Sequence, residues 1–127
     1  MKLIIGGCTQ GKLDYVLQKY DMDASKIWDG EIPKNIGEQK EPMVINHLHN
    51  WIKSQIAQGG CPEKEIRTIV EHYPDCVIIS DEVGNGIVPT ETFEREYRER
   101  TGRILVELAK KAEEVERVIC GIGQKIK

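Results

Sequence analysis

The first residues of the sequence whose types and spacing suit chemistry lie near its start. The run Gly6-Gly7-Cys8-Thr9-Gln10-Gly11-Lys12 follows a short apolar stretch and precedes a segment with helical spacing of apolar residues. Separated glycines let the backbone curl so that several N–H groups point inward, and a helix beginning there adds the positive end of its dipole. Lys12 adds a mobile positive charge that can reach the outer phosphates. This arrangement predicts a P-loop whose phosphate-binding residues are Gly6, Gly7, Cys8, Thr9, Gln10, Gly11, Lys12 and Leu13.

Leu13 departs from the usual P-loop pattern. That pattern reads Gly-x-x-x-x-Gly-Lys-Ser/Thr, and its final hydroxyl binds the Mg²⁺ of the nucleotide. Since Leu13 has no hydroxyl, Thr9 or a carboxylate elsewhere would have to supply this ligand. The alternative interpretation is a glycine-rich turn that only links a strand to a helix. We predict phosphate binding, whereas phosphoryl transfer depends on a substitute for the hydroxyl.

A second group of candidate residues follows the most apolar predicted strand, Cys76 to Ile79. Asp81 and Glu82 leave its carboxyl end, where ligands of open α/β sheets gather. A carboxylate there can hold Mg²⁺ or its water shell, so Glu82 is predicted as a metal ligand and as a catalytic residue beside the P-loop lysine. The alternative is a carboxylate that accepts hydrogen bonds from loop N–H groups. Gly84 and Gly86 indicate unusual backbone angles or close approach of a ligand.

Two of the three histidines, His47 and His49, follow another predicted strand at the expected ligand edge. A His-x-His pair on a strand could bind metal, but at the start of a helix the two rings are expected to diverge. The first interpretation is that both are polar residues of the first helical turn, and the second is that they contact the nucleotide or its phosphates. His72 is interpreted as a charge partner at the end of the helix before Pro74.

Strand-like runs alternate with helical stripes along the chain. The predicted strands are Lys2 to Ile5, Ile27-Trp28 at an edge, Met43 to Ile45, Cys76 to Ile79, Val115 to Cys120 and a short one at Lys125 to Lys127. The predicted helices run from Gly11 to Tyr20, from an Asn46 cap to Gly59, from Pro62 to Tyr73 and from a Thr90 cap to about Glu114, with a loop from about Asp29 to Glu41 and a turn at Gly121 to Gly123. This order predicts one α/β domain over residues 1–127, with a mostly parallel sheet and helices on both faces.

Composition narrows the classes of protein that the chain can belong to. Its 39% apolar and 31% charged residues are typical of a folded domain, and a formal net charge of −3 disfavours nucleic-acid binding. No apolar run approaches the roughly 20 residues that span a bilayer. The apolar start of the chain is too short for a signal peptide, so we expect a cytoplasmic protein. All four cysteines are expected to be reduced, three of them in or beside apolar runs.

The loop Asp81-Glu82-Val83-Gly84-Asn85-Gly86-Ile87-Val88-Pro89 carries a family resemblance. It resembles the Asn/Asp-Glu-Val-Gly-x-Gly-Ile-Val-Pro signature of the adenosylcobinamide kinase / adenosylcobinamide-phosphate guanylyltransferase family. The run Cys120 to Lys127, the pair Gly102-Arg103 and the opening Gly6-Gly7 are also similar to that family. The resemblance is close from about residue 76 to residue 127 and over the first twelve residues.

This resemblance implies a RecA-like P-loop fold and a place in cobalamin biosynthesis. Family members use ATP or GTP, with Mg²⁺, to phosphorylate the aminopropanol hydroxyl of adenosylcobinamide. They then transfer GMP to that phosphate through a guanylylated histidine, and they assemble as homo-oligomers. Nucleotide, adenosylcobinamide and further copies of the chain are therefore the implied partners.

The chain is shorter than family members between about Trp28 and Met43. No histidine occurs in this stretch, where the resemblance places the guanylylated one, and Asn46 stands where the family has a glutamate. A third interpretation of His47 and His49 is thus a replacement nucleophile. The resemblance predicts a shortened member with phosphoryl transfer to a corrinoid alcohol. The alternative is a catalytically impaired nucleotide- or corrinoid-binding protein with a regulatory or assembly role.

Overall fold

Residues 1–38, 42–83 and 91–127 are described by the computed structural model. The strands in these ranges are β1 (Lys2–Gly6), β2 (Ile27–Asp29), β3 (Val44–Asn46), β4 (Val77–Asp81), β5 (Glu114–Ile119) and β6 (Ile122–Lys125). The α-helices are α1 (Lys12–Tyr20), α2 (Leu48–Ala57), α3 (Pro62–His72) and α4 (Thr92–Lys111), and short 3-10 turns cover Ala24–Lys26 and Ile36–Glu38. The alternation of strand and helix follows the sequence prediction.

The six strands form one sheet in the order β2-β3-β4-β1-β5-β6. The first five are parallel, and β6 pairs with β5 in the antiparallel direction. The predicted fold class, an α/β P-loop domain with a mostly parallel sheet, is confirmed. Register places Gly6 of β1 opposite Asp81 of β4. The predicted P-loop and the second candidate loop therefore leave the sheet side by side.

Two apolar cores cover the two faces of the sheet. The larger core joins α2, α3 and α4 to the sheet through Leu3, Ile45, Leu48, Trp51, Ile52, Ile66, Ile69, Ile78, Ile104, Leu108 and Val115. The smaller core lies under α1 and contains Ile4, Val16, Val44, Val77, Ile79 and Val118. The helices that follow β1 and β4, α1 and α4, pack on opposite faces of the sheet, and open α/β sheets bind ligands at the carboxyl ends of such neighbouring strands.

The first boundary correction concerns the start of α2. Asn46 is the last residue of β3, and His47, in a left-handed conformation with φ 54°, occupies the N-cap position without a side-chain cap. The predicted Asn46 cap is therefore wrong. The amide of Asn46 donates to Asp29 instead, because β2 and β3 pair up to that point. The predicted cap Thr90 lies outside the described residues.

The C-terminal boundaries also shift. The helix α4 ends at Lys111, and Glu114 starts β5 rather than ending the helix. The cause is the Glu113 N–H, which donates to the carbonyl of Met1 and draws the chain into the sheet beside β1. The last turn is formed by Cys120 and Gly121, both left-handed, and β6 begins directly after it. Two consecutive left-handed residues are typical of the tightest hairpins.

The cysteines are all free, and only Cys76 is buried. Cys8, Cys61 and Cys120 are exposed, so a position in or beside an apolar run of the sequence does not by itself bury a cysteine. Cys8 lies in the predicted P-loop and Cys120 in the hairpin turn. No helix within the described ranges is both long and apolar enough to cross a membrane.

Candidate functional site

The predicted P-loop is a tight turn between β1 and α1. Gly6 ends the strand, Gly11 adopts φ 80° at the N-cap, and Lys12 is the first residue of the helix. A side chain at Gly6 would bring its Cβ within 2.6 Å of the Val118 carbonyl oxygen on β5. Thr9, at the exposed tip, also has a positive φ of 55°. The glycines are thus required by close approach at Gly6 and by the left-handed turn at Gly11.

Lys12 is buried although it carries a charge. Only 7% of its side chain is exposed, and its ammonium donates to the Gly7 carbonyl at 2.6 Å. The same ammonium lies 2.6 Å from Oδ1 of Asp81 at the end of β4. A buried ammonium is stable only when paired, and these two oxygens satisfy it. The structure therefore directs the P-loop lysine across the mouth of the loop.

Asp81 is held in turn by His49 from α2. The Asp81 N–H donates to Nδ1 of His49 at 3.1 Å, and Nε2 of the same ring lies 3.3 Å from Oδ2 of Asp81. Because Nδ1 accepts a hydrogen bond, the neutral ring carries its hydrogen on Nε2 and donates it to the carboxylate. Desolvation by burial lowers the pKa of His49, although the charge of Asp81 opposes this. A neutral His49 therefore fixes both the backbone and the side chain of Asp81.

His47 forms a second pair with Asp29, at the end of β2. Its Nδ1 contacts Oδ1 of Asp29, and the amide of Asn46 donates to the same oxygen at 3.2 Å. The rings of His47 and His49 meet edge to face with centroids 5.6 Å apart. The expectation that these rings diverge is wrong, because the left-handed backbone of His47 turns its side chain back toward the sheet edge.

Polar side chains thus form a continuous row along the carboxyl edge of four strands. The row comprises Lys12, Asp81, His49, His47 and Asp29. The side chains are least exposed at one end of the row, with 7% at Lys12, and most exposed at the other, with 44% at His47 and 58% at Asp29. We call these five residues the edge row. Its buried end lies at the P-loop and its open end lies at β2.

Glu82, the carboxylate favoured by the sequence as a metal ligand, lies beside the edge row and outside it. Its Oε2 accepts from Arg117 of β5 at 3.1 Å, and its N–H donates to the Gly6 carbonyl at 2.8 Å. Asp81, the less favoured of the two, is the carboxylate that contacts Lys12. Gly84 and Gly86 lie outside the described residues.

Gln10 connects the P-loop to the β5–β6 hairpin. Its side-chain Oε1 accepts from the Cys120 N–H at 2.7 Å, and its carbonyl accepts from the Gly121 N–H at 2.8 Å. The sequence predicts Gln10 as a phosphate-binding residue and gives no indication of this contact with the hairpin. The hairpin turn that supplies both donors is visible in the sequence only as Cys-Gly, which gives no sign of a distant partner.

The remaining candidates lie at the edges of the site. Leu13 is half-buried, and its side chain packs against the smaller core under α1, so it faces away from the loop. His72 ends α3, as predicted, with its ring beside that of Tyr73. Within the described ranges, no three His, Cys, Asp or Glu side chains converge as a metal-binding group.

Comparison with known proteins decides the family. The family model for cobinamide kinase / cobinamide phosphate guanyltransferase (CobU) matches residues 23–126. The chain belongs to this family. The resemblance inferred from the sequence is confirmed, and the matched residues include the signature loop Asp81 to Pro89.

Two relatives extend the comparison. The chain is 40% identical over 67 residues to the bifunctional adenosylcobalamin biosynthesis protein CobU of Escherichia coli K12, and this alignment covers 50% of the chain and 37% of the relative. It is 39% identical over 69 residues to the protein of the same name from Salmonella typhimurium LT2, with 51% and 38% covered. The aligned part thus spans little more than a third of the length of these relatives.

Proposed function

We propose that this CobU-family chain binds ATP or GTP and transfers a phosphoryl group to the hydroxyl of a cobinamide-type corrinoid, as a step of cobalamin biosynthesis. The observation that carries this proposal is Lys12, held by Gly7 and Asp81 at the mouth of a glycine turn between β1 and α1. A lysine poised there can exchange these oxygens for phosphate oxygens. The names of the two relatives support the corrinoid pathway.

The backbone from Gly7 to Gly11 is the proposed phosphate cradle. Its N–H groups and the amino end of α1 attract negative charge, so the triphosphate would lie over the turn. Lys12 would then stabilise the charge that develops on the transferred group. Gln10 would keep the cradle in shape, since it binds the hairpin turn through both its side chain and its carbonyl.

Mg²⁺ would accompany the nucleotide in this proposal. Mg²⁺ in nucleotide sites is usually held by one or two carboxylates together with phosphate oxygens, and it needs no all-protein cage. Asp81 and Glu82, which leave the carboxyl end of β4 next to the P-loop, fit that donor set. When bound, the ion would neutralise charge on the outer phosphates. The oxygens of Asp81 already contact Lys12 and His49, which holds that carboxylate in place.

Nucleotide binding is tested by replacing the lysine. We expect Lys12→Ala to weaken the binding of ATP and of GTP by at least about 10-fold, because a charged hydrogen bond contributes about 1.5–3 kcal/mol. Isothermal titration calorimetry with and without Mg²⁺ measures the loss. Lys64→Ala, which removes an exposed lysine of α3, is the matched control and should bind as the unaltered chain does. Equal affinities in both variants would refute the P-loop assignment.

A non-catalytic nucleotide- or corrinoid-binding protein is the second candidate. Leu13 favours it, because this position faces the core under α1 and offers no hydroxyl to a metal. The absence of a histidine from residues 28–43 also removes the guanylylated residue of the family pattern. Tight nucleotide binding without turnover on adenosylcobinamide would select this candidate over the kinase.

A homo-oligomer and a cytoplasmic location complete the proposal. Among the described residues, four large apolar side chains are more than 40% exposed: Val106, Ile119, Ile122 and Ile126. The three isoleucines lie on or next to the β5–β6 hairpin. Contact with a second copy would cover them. A cytoplasmic location fits the pool of ATP and GTP that the reaction needs.

A further inference from the structure

The open end of the edge row lies where an acceptor hydroxyl would approach the phosphates. On the β5 side of the P-loop, the hairpin turn is bonded to Gln10 and closes the approach. On the other side, β4, β3 and β2 present the edge row at their carboxyl ends. A second substrate that meets the outer phosphate near Lys12 therefore enters over Asp81, His49 and His47.

His47 has the contacts of a general base. The carboxylate of Asp29 can only accept, so its contact with Nδ1 places the ring hydrogen on that nitrogen and leaves the lone pair on Nε2. The Asn46 amide holds the same carboxylate oxygen, and the His49 ring packs against the edge of the His47 ring. Asp29, Asn46 and His49 are thus the groups that face His47.

Exposure distinguishes the two histidines. The side chain of His49 is 10% exposed and both of its nitrogens contact Asp81, whereas the side chain of His47 is 44% exposed. Of these two histidines, His47 is the one that combines an oriented ring with an exposed side chain. Its left-handed backbone, φ 54° and ψ 47°, is a costly conformation for a residue other than glycine.

We propose that His47, oriented by Asp29, is the general base that accepts the proton of the acceptor hydroxyl. The hydroxyl oxygen forms a bond to the terminal phosphorus, the bond from that phosphorus to the bridging oxygen breaks, and its electron pair leaves with the nucleoside diphosphate. The hydroxyl proton passes to Nε2 of His47. This inference rests on the proposed kinase function and assigns a residue to its proton transfer.

The test compares His47→Ala with His72→Ala, which removes the exposed histidine at the end of α3. We expect His47→Ala to lower kcat for adenosylcobinamide phosphorylation by about 10²-fold, a typical share for a general base. The KM for nucleotide should stay within 2-fold, since His47 contacts no part of the phosphate cradle. Added imidazole should restore part of the kcat of His47→Ala. Asp29→Asn should lower kcat by an intermediate factor, and imidazole should not restore it.

The outcomes separate this inference from the proposed function. If the unaltered chain turns over and kcat of His47→Ala equals that of His72→Ala, the base assignment is overturned and the kinase proposal stands. Nucleotide binding without any turnover in the unaltered chain overturns the base assignment and leaves binding intact. Failure of the unaltered chain to bind ATP or GTP refutes the proposed function, and the base assignment falls with it.

Discussion

His49 organises the candidate site through its contacts with Asp81. Both of its nitrogens contact Asp81, one through the backbone N–H and one through the carboxylate. The remaining carboxylate oxygen then faces Lys12. Asp81 would otherwise end a strand at a loop with a free carboxylate, and the buried ammonium of Lys12 would lose a fixed partner. Burial keeps His49 neutral, which suits this role because only the neutral ring both accepts and donates.

Replacement of His49 should therefore lower stability. We expect His49→Ala to reduce the free energy of unfolding by about 1–3 kcal/mol, since a half-buried N–H group loses its acceptor. His72→Ala, an exposed change, should stay within about 0.5 kcal/mol. Urea unfolding at pH 7.5 followed by circular dichroism measures both. Equal midpoints for the two variants would show that His49 does not hold Asp81.

At the scale of elements, the P-loop depends on the strand beside it. The end of β1 runs so close to β5 that a Cβ at Gly6 would lie 2.6 Å from the Val118 carbonyl. On the far side of the turn, a Cβ at Gly11 would lie 3.5 Å from Gly121 of the hairpin. The loop is therefore packed against β5 and the hairpin at two glycines, and its shape depends on the position of both elements.

Two glycine substitutions, one at the packed position Gly6 and one in the open middle of α4, test this packing. Gly6→Ala should destabilise the fold by about 1–3 kcal/mol, because the atom it meets is backbone and cannot rotate away. Gly102→Ala, in the middle of α4, should stabilise it by about 0.5–1 kcal/mol, because helical glycine is unfavourable. Apart from the backbone of α4 itself, no atom of the described residues lies within 4 Å of the added Cβ. Thermal unfolding of both variants measures the changes. A neutral Gly6→Ala would contradict the close approach of β1 and β5.

The strands and helices can be predicted from the sequence, because the spacing of apolar residues indicates which face of each element is buried. The carboxyl-edge location of the site followed from the same pattern, since parallel strands end at one edge. The contacts between individual side chains are harder to predict from the sequence. The sequence offered Asp81 and Glu82 as neighbours, and only the register of β1, β4 and β5 shows that Lys12 meets the first while Arg117 meets the second. The contact between the His47 and His49 rings depends on the left-handed backbone of His47, which the apolar pattern does not indicate.

At the scale of the whole molecule, the two faces of the sheet are covered unequally. Three helices cover one face and α1 covers the other. Beyond α4, the β5–β6 hairpin extends to the sheet edge. Register pairs the exposed Ile119 with Ile122 there, and Val106 and Ile126 line one shallow groove of about 470 Å³. Proteins usually cover an antiparallel edge strand that exposes isoleucines with another element, or they place charged residues on it.

This hairpin is the surface through which we expect copies of the chain to associate. The expected result is that the unaltered chain has a mass above that of the monomer in sedimentation velocity at micromolar concentration. Ile122→Lys should shift it toward the monomer, because a lysine buried between two copies would lose its hydration without a partner. Gln58→Lys, which adds the same charge at the exposed end of α2, is the matched control and should leave the mass unchanged. A monomeric unaltered chain, or a mass that Ile122→Lys does not alter, would exclude the hairpin as the contact.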